Sequence, residues 1–560
     1  MAEPAPSRKS DEAGEAEETT IENLEIENSE KNENENGPSI SSSSKRMQMS
    51  GWRLQALSLA LCLSLFLSML DSTIVATALI PITNDLNGFD QISWVMNGYL
   101  VTYTGFLVIT AKLSDIVGRR AIVATSLVIF IAFSIACGVA QTLTQLIVFR
   151  ALQGIGGGGL YTMVFVILPE MCTPEQYTLY STIISSVSVV SSLLGPILGG
   201  VISEKTTWRW IFWINVPISA VAMGLLYLSI PAHFPYAKPI DAPKLSRAAL
   251  RKLDLVGTCL LLAATTLLLT ALEESSVGKS WSSAIVLAPL VTGLFFWVCF
   301  FGWSKVQTLR STVWEPILPW RVLTDRFCLA LFTSTFWVGA ILYAAVVALP
   351  QRFQIVHNTS ATQAGLRLLP ITMGIPVGSA IAASMMQKRN VPPMLLILTG
   401  AAIETVGIAL TITLPTDASA FPNKGYGFEA ITGFGLGMST AIAVLSAMLV
   451  FKPEDLSVGM GGLGQFRSLG GCIGVAVVSN LMNRYFTDNL SSELSRQQMA
   501  AIKLSADAIE GFPEALQTAI RETCARGYTR QGIAMTAFGS AAVLTTFLMA
   551  EKKLRRQRPT

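Results

Sequence analysis

The sequence predicts an all-α integral membrane protein with fourteen transmembrane helices, on the strength of its composition, its apolar segments and a repeated pattern. Of its 560 residues, 51% are hydrophobic and only 14% are charged. One soluble core of ordinary size does not hold that much apolar surface, so a membrane protein is favoured. A helix needs about 20 apolar residues to cross a bilayer core. Fourteen such segments are found, at 54–80, 94–111, 121–140, 143–168, 178–202, 210–230, 253–272, 282–303, 327–350, 366–386, 394–414, 429–450, 457–482 and 532–550.

The two ends of the chain differ from this apolar body. Residues 1–50 contain twelve acidic and five basic residues and are rich in Glu, Asn and Ser. Such a segment buries too little apolar surface to offset its conformational entropy. We therefore predict a disordered, acidic, cytosolic tail over 1–50 and a basic cytosolic tail over 551–560. Residues 1–50 are not predicted to be a signal peptide, because the first long apolar run begins only near Leu54.

Basic residues predict the orientation of the chain. If the N-terminus is cytosolic, the inside loops and the C-terminal tail together carry twenty Lys and Arg residues, whereas the short outside loops carry far fewer. Lys and Arg close to a span resist translocation, so both termini are expected in the cytosol. The sequons at Asn358 and Asn489 then fall on the outer side, where we predict glycosylation.

A pattern of small residues recurs eight spans apart. A stripe of small and polar residues, spaced alternately by four and three, follows one helix face in the fifth and the thirteenth spans. Glycine runs at 154–157 and 433–437 likewise match between the fourth and the twelfth spans. The pattern predicts two six-helix repeats with two inserted helices. The alternative explanation is that Gly and Ser are simply frequent in membrane helices.

This repeat divides the chain into domains. The N-terminal six-helix bundle is predicted over 51–230, and the two inserted spans with their cytosolic linkers over 231–326. The C-terminal six-helix bundle is predicted over 327–550 and includes an extracellular loop over 483–531. That loop follows from the distance between the last two apolar segments.

Several motifs in register resemble those of one transporter family. The resemblance is to the major facilitator superfamily, and within it to the fourteen-span drug:proton antiporters, especially fungal toxin and multidrug efflux pumps. It covers roughly residues 53 to 550. The motifs are LDSTIVATALIP (70–81), AKLSDIVGRR (111–120), RALQGIGGGG (150–159), GPILGG (195–200) and WRWIFWINVPI (208–218).

The motif at 111–120 is predicted to form a cytosolic gate between the second and third spans. Gly118 permits a tight turn, and Asp115 can accept hydrogen bonds from the start of a neighbouring helix. Lys112, Arg119 and Arg120 hold the segment in the cytosol. Breaking such a charge network would allow the two halves to rock. A loop that only sets the topology is the alternative, although it would not require Asp115 and Gly118.

Asp71, Arg150 and Glu404 are the candidates for proton coupling. A carboxylate inside a span costs about 2.5–3.5 kcal/mol on insertion scales, so Asp71 is expected to face a wet cavity or a partner. A structural carboxylate is the alternative. The family resemblance implies that Arg150 is a cavity residue that modulates a nearby carboxylate. For Glu404, in the eleventh span, a proton role and a structural hydrogen bond remain equally open.

The fifth span carries Gly195 and Pro196, which remove a backbone hydrogen bond and should bend the helix. The resemblance implies that this GPILGG segment, which also contains Gly199 and Gly200, is the helix kink of an exporter. Candidates for the substrate cavity are polar and aromatic residues of four spans, which could equally be core or lipid-facing. They are Trp94, Asn97, Tyr99, Gln153, Phe336, Tyr343, Gln465 and Phe466.

Other classes of function find little support in the sequence. Two histidines and eight scattered cysteines supply no metal-binding cluster. No nucleotide site is evident, since the glycine run at 154–157 continues an apolar helix instead of following a strand. We therefore expect no enzyme activity, no cofactor and no nucleic-acid partner.

The motifs lead to a functional prediction with two alternatives. We predict a monomeric, multi-pass plasma-membrane transporter that exports amphipathic organic compounds in exchange for protons. Proton-coupled uptake or vacuolar transport of an iron chelate or a basic amino acid is one alternative, and it would place the protein in the vacuolar membrane. A non-transporting sensor that signals through its acidic tail is the other.

Overall fold

The computed structural model describes residues 49–550 except for 76–77, 87–91, 232–233, 235–253, 277–278, 311–315, 360, 417–420, 453–454, 492–493, 496–497, 499–508 and 510. The predicted tails at 1–50 and 551–560 therefore lie outside the described residues, apart from Met49 and Ser50. Within the described part, all regular secondary structure is helical.

The helices fall into three groups along the chain. The first group is α1 (Gly51–Ile74), α2 (Leu79–Leu86), α3 (Ile92–Val117), α4 (Arg119–Gly138), α5 (Leu143–Met171), α6 (Pro174–Lys205), α7 (Trp210–Trp213) and α8 (Asn215–Ser229). The second group is α9 (Leu255–Ser276) and α10 (Ala284–Arg310). The third group is α11 (Trp320–Thr324), α12 (Arg326–His357), α13 (Ala361–Arg367), α14 (Leu369–Lys388), α15 (Pro393–Thr411), α16 (Lys424–Val450), α17 (Leu456–Leu490) and α18 (Glu514–Thr546).

Twelve helical segments in the described part are long and apolar enough to cross a membrane. Helices α6 and α17 are long but fall outside that set. They are the fifth and thirteenth predicted spans, and they carry the stripe of small and polar residues. A helix thus lies at each of the fourteen predicted spans. This arrangement is compatible with fourteen crossings, and that number stays a prediction.

The first span is interrupted earlier than predicted. Helix α1 ends at Ile74, six residues before the predicted boundary, and α2 begins at Leu79. Pro81 lies in the first turn of α2, where its missing N–H has no helical partner to lose. Further inside a continuous helix it would clash with the preceding turn, so Pro81 favours the start of a new helix near this position.

Packing between helices repeats with an offset of eight spans. In the first group α5 packs against α3 and α4, and in the third group α16 packs against α14 and α15. Helix α1 packs against α6 and α8, and α12 packs in the same way against α17 and α18. The correspondence of these four pairs supports the two six-helix repeats. Helices α9 and α10 pack against each other, and α9 also contacts α3 and α17.

Glycines at equivalent positions allow the closest of these contacts. A Cβ atom on Gly154 of α5 would collide with the carbonyl oxygen of Tyr99 on α3. A Cβ atom on Gly433 of α16 would collide with the carbonyl oxygen of Ile371 on α14. The glycine runs therefore serve close helix packing, as the sequence pattern indicates.

The predicted extracellular loop over 483–531 is shorter in the structure. Helix α17 continues to Leu490 and α18 begins at Glu514, so both ends of that segment are helical. These extensions are too polar for an apolar span, which is why hydropathy assigned them to the loop. They form their own apolar contact, in which Phe486 and Leu490 pack with Ile520 and Cys524.

Candidate functional site

Asp71 lies at the centre of a buried polar network inside the first group of helices. The Arg150 guanidinium on α5 forms an ion pair with its carboxylate, and the two side chains are 1% and 0% exposed. Gln153 donates to Asp71 Oδ1 over 3.1 Å, and Asn215 donates to the same oxygen over 2.9 Å. Ser134 accepts a hydrogen bond of 2.8 Å from Gln153. The network thus joins α1, α4, α5 and α8.

Arg150 is held by several further contacts. Its Nε donates to the carbonyl oxygen of Val95 over 3.2 Å, and its Nη1 donates to Gln153 Oε1 over 2.9 Å. The guanidinium carbon lies 4.3 Å from the centre of the Tyr99 ring and 5.7 Å from that of Phe212. Planar guanidinium groups favour such stacking on aromatic faces. The arginine is therefore positioned by four helices and directed at one carboxylate.

A separate cavity with a volume of ≈ 150 Å³ lies between the first and third groups of helices. Its walls are mostly apolar, with a few hydroxyl groups. One wall is formed by Met69, Ser72, Thr73, Phe165, Leu168, Ile184 and Ser188. The opposite wall is formed by Leu342, Tyr343, Val346, Thr372, Ile375, Leu436, Thr440, Ala441, Val444 and Arg467. A mostly apolar cavity with a few polar groups is typical of a site for an amphipathic small molecule.

Three of the predicted cavity residues in the first group, Trp94, Tyr99 and Gln153, lie outside the described lining of this cavity. Tyr99 stacks under Arg150 and donates its hydroxyl to the carbonyl oxygen of Ser68 over 3.2 Å. Gln153 belongs to the Asp71 network. Trp94 donates its indole N–H to Glu274 of α9 over 3.1 Å. Asn97 lies on α3, and its side chain is outside the described part of the structure.

Among the predicted cavity residues of the third group, Tyr343 lines the cavity. Phe336 packs against an apolar cluster that α3, α9 and α17 form together, and Phe466 stacks on Phe332 with ring centres 4.9 Å apart. Gln465 is buried, and its amide has no hydrogen-bond partner among the described residues. The rotation of each helix about its axis decides which side chains face the cavity, and an isolated sequence does not specify that rotation.

The motif at 111–120 forms a compact set of contacts between the first and third groups of helices. Gly118 is the one residue between α3 and α4, and its φ of 105° lies in a region that other residues rarely adopt. Asp115 lies 2.6 Å from Arg119, and the single hydroxyl of Ser457, at the start of α17, donates to its carboxylate with Oγ 2.5 and 2.6 Å from the two oxygens. Arg119 also pairs with Glu170 of α5 over 2.9 Å. Asp115 therefore connects the two halves at the predicted cytosolic end.

The other residues of this motif contribute separately. Lys112 is 7% exposed, and Arg120 lies over the ring of Tyr227 with its guanidinium carbon 4.2 Å from the ring centre. At the same end, Arg321 of α11 makes a bidentate pair with Asp455, the residue before α17, with both contacts at 3.0 Å. The start of α17 is thus anchored from two directions.

A second charged contact lies at the opposite end of the first group. Asp85 of α2 pairs with Arg209 over 2.8 Å and accepts a hydrogen bond of 3.0 Å from the Trp208 indole. Arg209 also donates to the carbonyl oxygen of Ala140. These hydrogen bonds from Arg209 and Trp208 lower the pKa of Asp85 below its ordinary value of 3.8. The WRW segment therefore connects α2 to the α4–α5 turn.

The GPILGG segment lies where α6 crosses α1. A Cβ atom on Gly195 would collide with Thr73 Oγ1, whereas one on Gly200 would meet nothing within 4 Å. Gly199 is buried on the same helix, and the Pro196 side chain is outside the described part of the structure. Helix α6 runs from Pro174 to Lys205 through this segment, and its bend at Pro196 stays a prediction.

Two buried glutamates lie in the third group. Glu404 of α15 is 0% exposed, as predicted for a residue in mid-span, and Glu429 of α16 is 1% exposed. Ser439 lies near the Glu404 carboxylate and Arg352 near the Glu429 carboxylate, although neither pair among the described residues has the geometry of a regular hydrogen bond. Both lie outside the described lining of the cavity. The role of Glu404 stays open.

The two sequons lie in different surroundings. Asn358 is exposed, follows the end of α12 and has a left-handed conformation. Asn489 is exposed in the last turn of α17, where its amide donates to the carbonyl oxygen of Tyr485. For metals, the described residues contain no group of three His, Cys, Asp or Glu that could bind an ion.

Sequence reasoning missed Asn215, Ser457 and Arg467. Asn215 falls within the WRWIFWINVPI motif, and Ser457 begins the thirteenth span. Neither position carries a signal, because single Asn and Ser residues are common at helix ends. Arg467 did carry a signal in the sequence, since an arginine inside a predicted span is a functional candidate by default.

Comparisons with known proteins agree on one family. Residues 61–475 match the family model described as Major Facilitator Superfamily. The chain is similar to "MFS-type transporter FPY5" of Fusarium mangiferae, with 39% identity over 93% of this chain and 87% of the relative. It is 30% identical to "Multidrug transporter protein MdtP" of Bacillus subtilis, over 78% of this chain and 76% of the relative. It is 29% identical to "Efflux pump FUS6" of Gibberella fujikuroi, over 82% of this chain and 80% of the relative.

Solved structures are similar in fold. A bacterial homologue of the human lysosomal transporter Spinster, in an inward-facing and unoccupied conformation, aligns with a TM-score of 0.54. The alignment covers 89% of this chain and 97% of that one, at 15% identity. At that identity the likeness concerns the fold alone.

Proposed function

Because this chain belongs to the major facilitator superfamily and is a multi-pass membrane transporter, we propose that it exports amphipathic organic compounds in exchange for protons. The observation that carries the proposal is the buried Asp71–Arg150 pair. It is the kind of ionisable pair that marks a proton pathway in membrane proteins. Its carboxylate lies on the same helix as residues that line the cavity.

Coupling would act through α1. Ser72 and Thr73, which line the cavity, directly follow Asp71 in the sequence. Protonation of Asp71 would remove its negative charge and weaken its attraction to Arg150. Any rearrangement of α1 that follows would change the cavity wall. The occupancy of the cavity would then respond to protonation through the position of one helix.

The gate contacts provide the second part of the mechanism. Asp115 and Ser457 connect the two halves at the predicted cytosolic end. Alternating access requires this connection to break when the cavity opens toward the cytosol. The connection would re-form when substrate is released on the opposite side. In this account the structure corresponds to a state that is closed at the gate.

Export, as opposed to uptake, is supported by the relatives. One fungal relative is named an efflux pump and a bacterial relative a multidrug transporter. The mostly apolar cavity is suited to an amphipathic compound more than to a hydrophilic amino acid or an iron chelate. A sensor without transport would have no need for a cavity next to a buried ionisable pair. We propose the plasma membrane as the site of this export.

The proposal can be tested by dye accumulation in a yeast strain that lacks its own efflux pumps. Cells that express the protein should retain less of an amphipathic dye from a mixed panel, and a protonophore should restore retention. Asp71→Asn should abolish the difference, and Asp488→Asn, which changes an exposed carboxylate outside the network, should leave it intact. Greater retention in expressing cells would support uptake or vacuolar loading, and unchanged retention across the panel would contradict transport of such compounds.

A further inference from the structure

Arg467 of α17 is the one charged side chain among the described residues that line the cavity. It also lines a smaller pocket, together with Tyr161 and Gly461, that continues from the cavity toward the gate. Its guanidinium carbon lies 5.4 Å from the centre of the Tyr161 ring. The side chain thus lies where the two spaces meet.

The charge of Arg467 is not neutralised by the protein in the part that the structure describes. Among the described residues Arg467 takes part in no ion pair, and its Nε has no hydrogen-bond partner there. By contrast, Arg119, Arg150, Arg209 and Arg321 each pair with a carboxylate. In those four arginines the charge is compensated by a carboxylate of the protein, whereas the described neighbours of Arg467 are uncharged.

The groups near Arg467 interact with it weakly. Tyr161 offers an aromatic face, and the hydroxyl of Tyr343 on the cavity wall accepts a hydrogen bond from the guanidinium but brings no negative charge. Contacts of a cation with an aromatic ring contribute less than a pair with a carboxylate. A guanidinium in the membrane interior therefore retains capacity to bind an anion, and the geometry leaves the cavity as the side from which that anion can arrive.

The other residues that line the cavity indicate what the rest of the ligand must be. Phe165 and Leu168 on one side, with Leu342 and Val444 on the other, are apolar surfaces within the same space. A ligand that fills this space must therefore have a mainly apolar body. A bidentate interaction with a planar acid is the strongest that a guanidinium makes.

We propose that the cavity binds amphipathic organic acids, whose carboxylate or similarly acidic group pairs with Arg467. The inference deepens the proposed export function and rests on it for the assignment of the cavity as the substrate site. It names a substrate class that excludes basic amino acids, because a second cation would be repelled by Arg467. Proton coupling at Asp71 remains separate, since that carboxylate is already paired within the first group of helices.

Binding of two matched probes tests the inference without requiring transport. The probes are 12-(NBD-amino)dodecanoic acid and its methyl ester, which share a body and differ only in the acidic group. The purified full-length protein is reconstituted in nanodiscs, and saturable binding is measured by NBD fluorescence at pH 7.5 against empty nanodiscs. We expect the wild type to bind the acid about tenfold more tightly than the ester, as one charge-assisted hydrogen-bonded pair provides.

Variants assign the preference to Arg467. Arg467→Gln should bind the acid and the ester with equal affinity. Arg467→Lys should keep part of the preference for the acid, because lysine keeps the positive charge but not the planar pair of N–H donors. Arg484→Gln removes an exposed arginine of the same helix outside the cavity and should match the wild type. If Arg467→Gln does not reconstitute as a folded protein, the partial loss in Arg467→Lys decides the matter.

Each result supports or overturns the inference. Equal binding of the two probes by the wild type, tighter binding of the ester, or saturable binding of neither would overturn it. So would a preference for the acid that survives unchanged in the substituted protein. Failure of the proposed export function can be distinguished from failure of the proposed binding site. A protein that binds the acid through Arg467 but moves no probe in proteoliposomes would support the site and contradict the export function.

Discussion

Arg150 on α5 and Asp71 on α1 form an ion pair from which solvent is almost completely excluded. Gln153 and Asn215 add two hydrogen bonds to the same carboxylate, so the charge of each partner is compensated within one half of the protein. A pair of this kind is costly to break on one side only, because the remaining charge is left buried. The proposed coupling mechanism depends on that asymmetry, which can be measured directly.

A double-mutant cycle should reveal the interaction of these two residues. Asp71→Asn and Arg150→Gln should each lower the thermal unfolding temperature of the detergent-solubilised protein. The double variant, which leaves no unpaired charge, should be destabilised by less than the sum of the two changes. We expect an interaction energy of about 1–3 kcal/mol. Strictly additive losses would contradict a functional ion pair.

The gate contact should affect transport more than stability. Asp115→Asn removes the charged carboxylate to which the Ser457 hydroxyl donates and which pairs with Arg119. Because the contact is needed in only one access state, export of a transported dye should fall while surface expression stays close to that of the wild type. Asp488→Asn is the matched control. Normal export rates in correctly delivered Asp115→Asn protein would show that the contact does not act as a gate.

Two glycines in one motif offer a comparison of packing. Gly195→Ala adds a methyl group that collides with Thr73, whereas Gly200→Ala adds the same group where nothing lies within 4 Å. Overpacking of this kind costs roughly 1–3 kcal/mol. Gly195→Ala should therefore lower the unfolding temperature and impair export, and Gly200→Ala should do neither. Similar unfolding temperatures for the two variants would argue against close contact between α1 and α6.

Acid should weaken the contact between α2 and the WRW segment. The folded-state pKa of Asp85 lies below 3.8, so its pairing with Arg209 stabilises the fold above that pH and is lost as the pH falls through the folded-state pKa. The side chain is half exposed, which limits the contribution to about 1 kcal/mol or less. Asp85→Asn should lower the unfolding temperature slightly at pH 7, and this deficit should shrink as the pH is lowered below 3.8. A deficit that stays constant while the Asp85 carboxylate titrates, followed by NMR, would exclude the ionised carboxylate as its cause.

The sequence predicts the helices more completely than the site. Apolar length placed a helix at every predicted span, and the glycine runs at 154–157 and 433–437 indicated the two repeats. Asp71 and Arg150 could be identified because a charge inside a span is exceptional. Their neighbour Asn215 could not, since one Asn at the start of a short helix has no distinctive pattern.

Most of the residues that line the cavity could not be predicted from the sequence. Phe336 and Phe466 lie on predicted spans but face other helices, whereas Tyr343, seven residues after Phe336, lines the cavity. Residues at that spacing share a face only approximately, and the rotation of a helix is set by its neighbours. Hydropathy does not identify polar helical extensions such as 483–490, because a helix outside the bilayer core need not be apolar.

Proton coupling through Asp71 is tested most directly in proteoliposomes with an imposed pH gradient. The wild type and Asp488→Asn should concentrate a transported dye against its own gradient when the pH difference drives proton exchange. Asp71→Asn cannot bind or release a proton, so it should exchange dye down its gradient but not concentrate it. An Asp71→Asn protein that still concentrates the dye in response to the pH gradient would contradict the account and direct attention to Glu404.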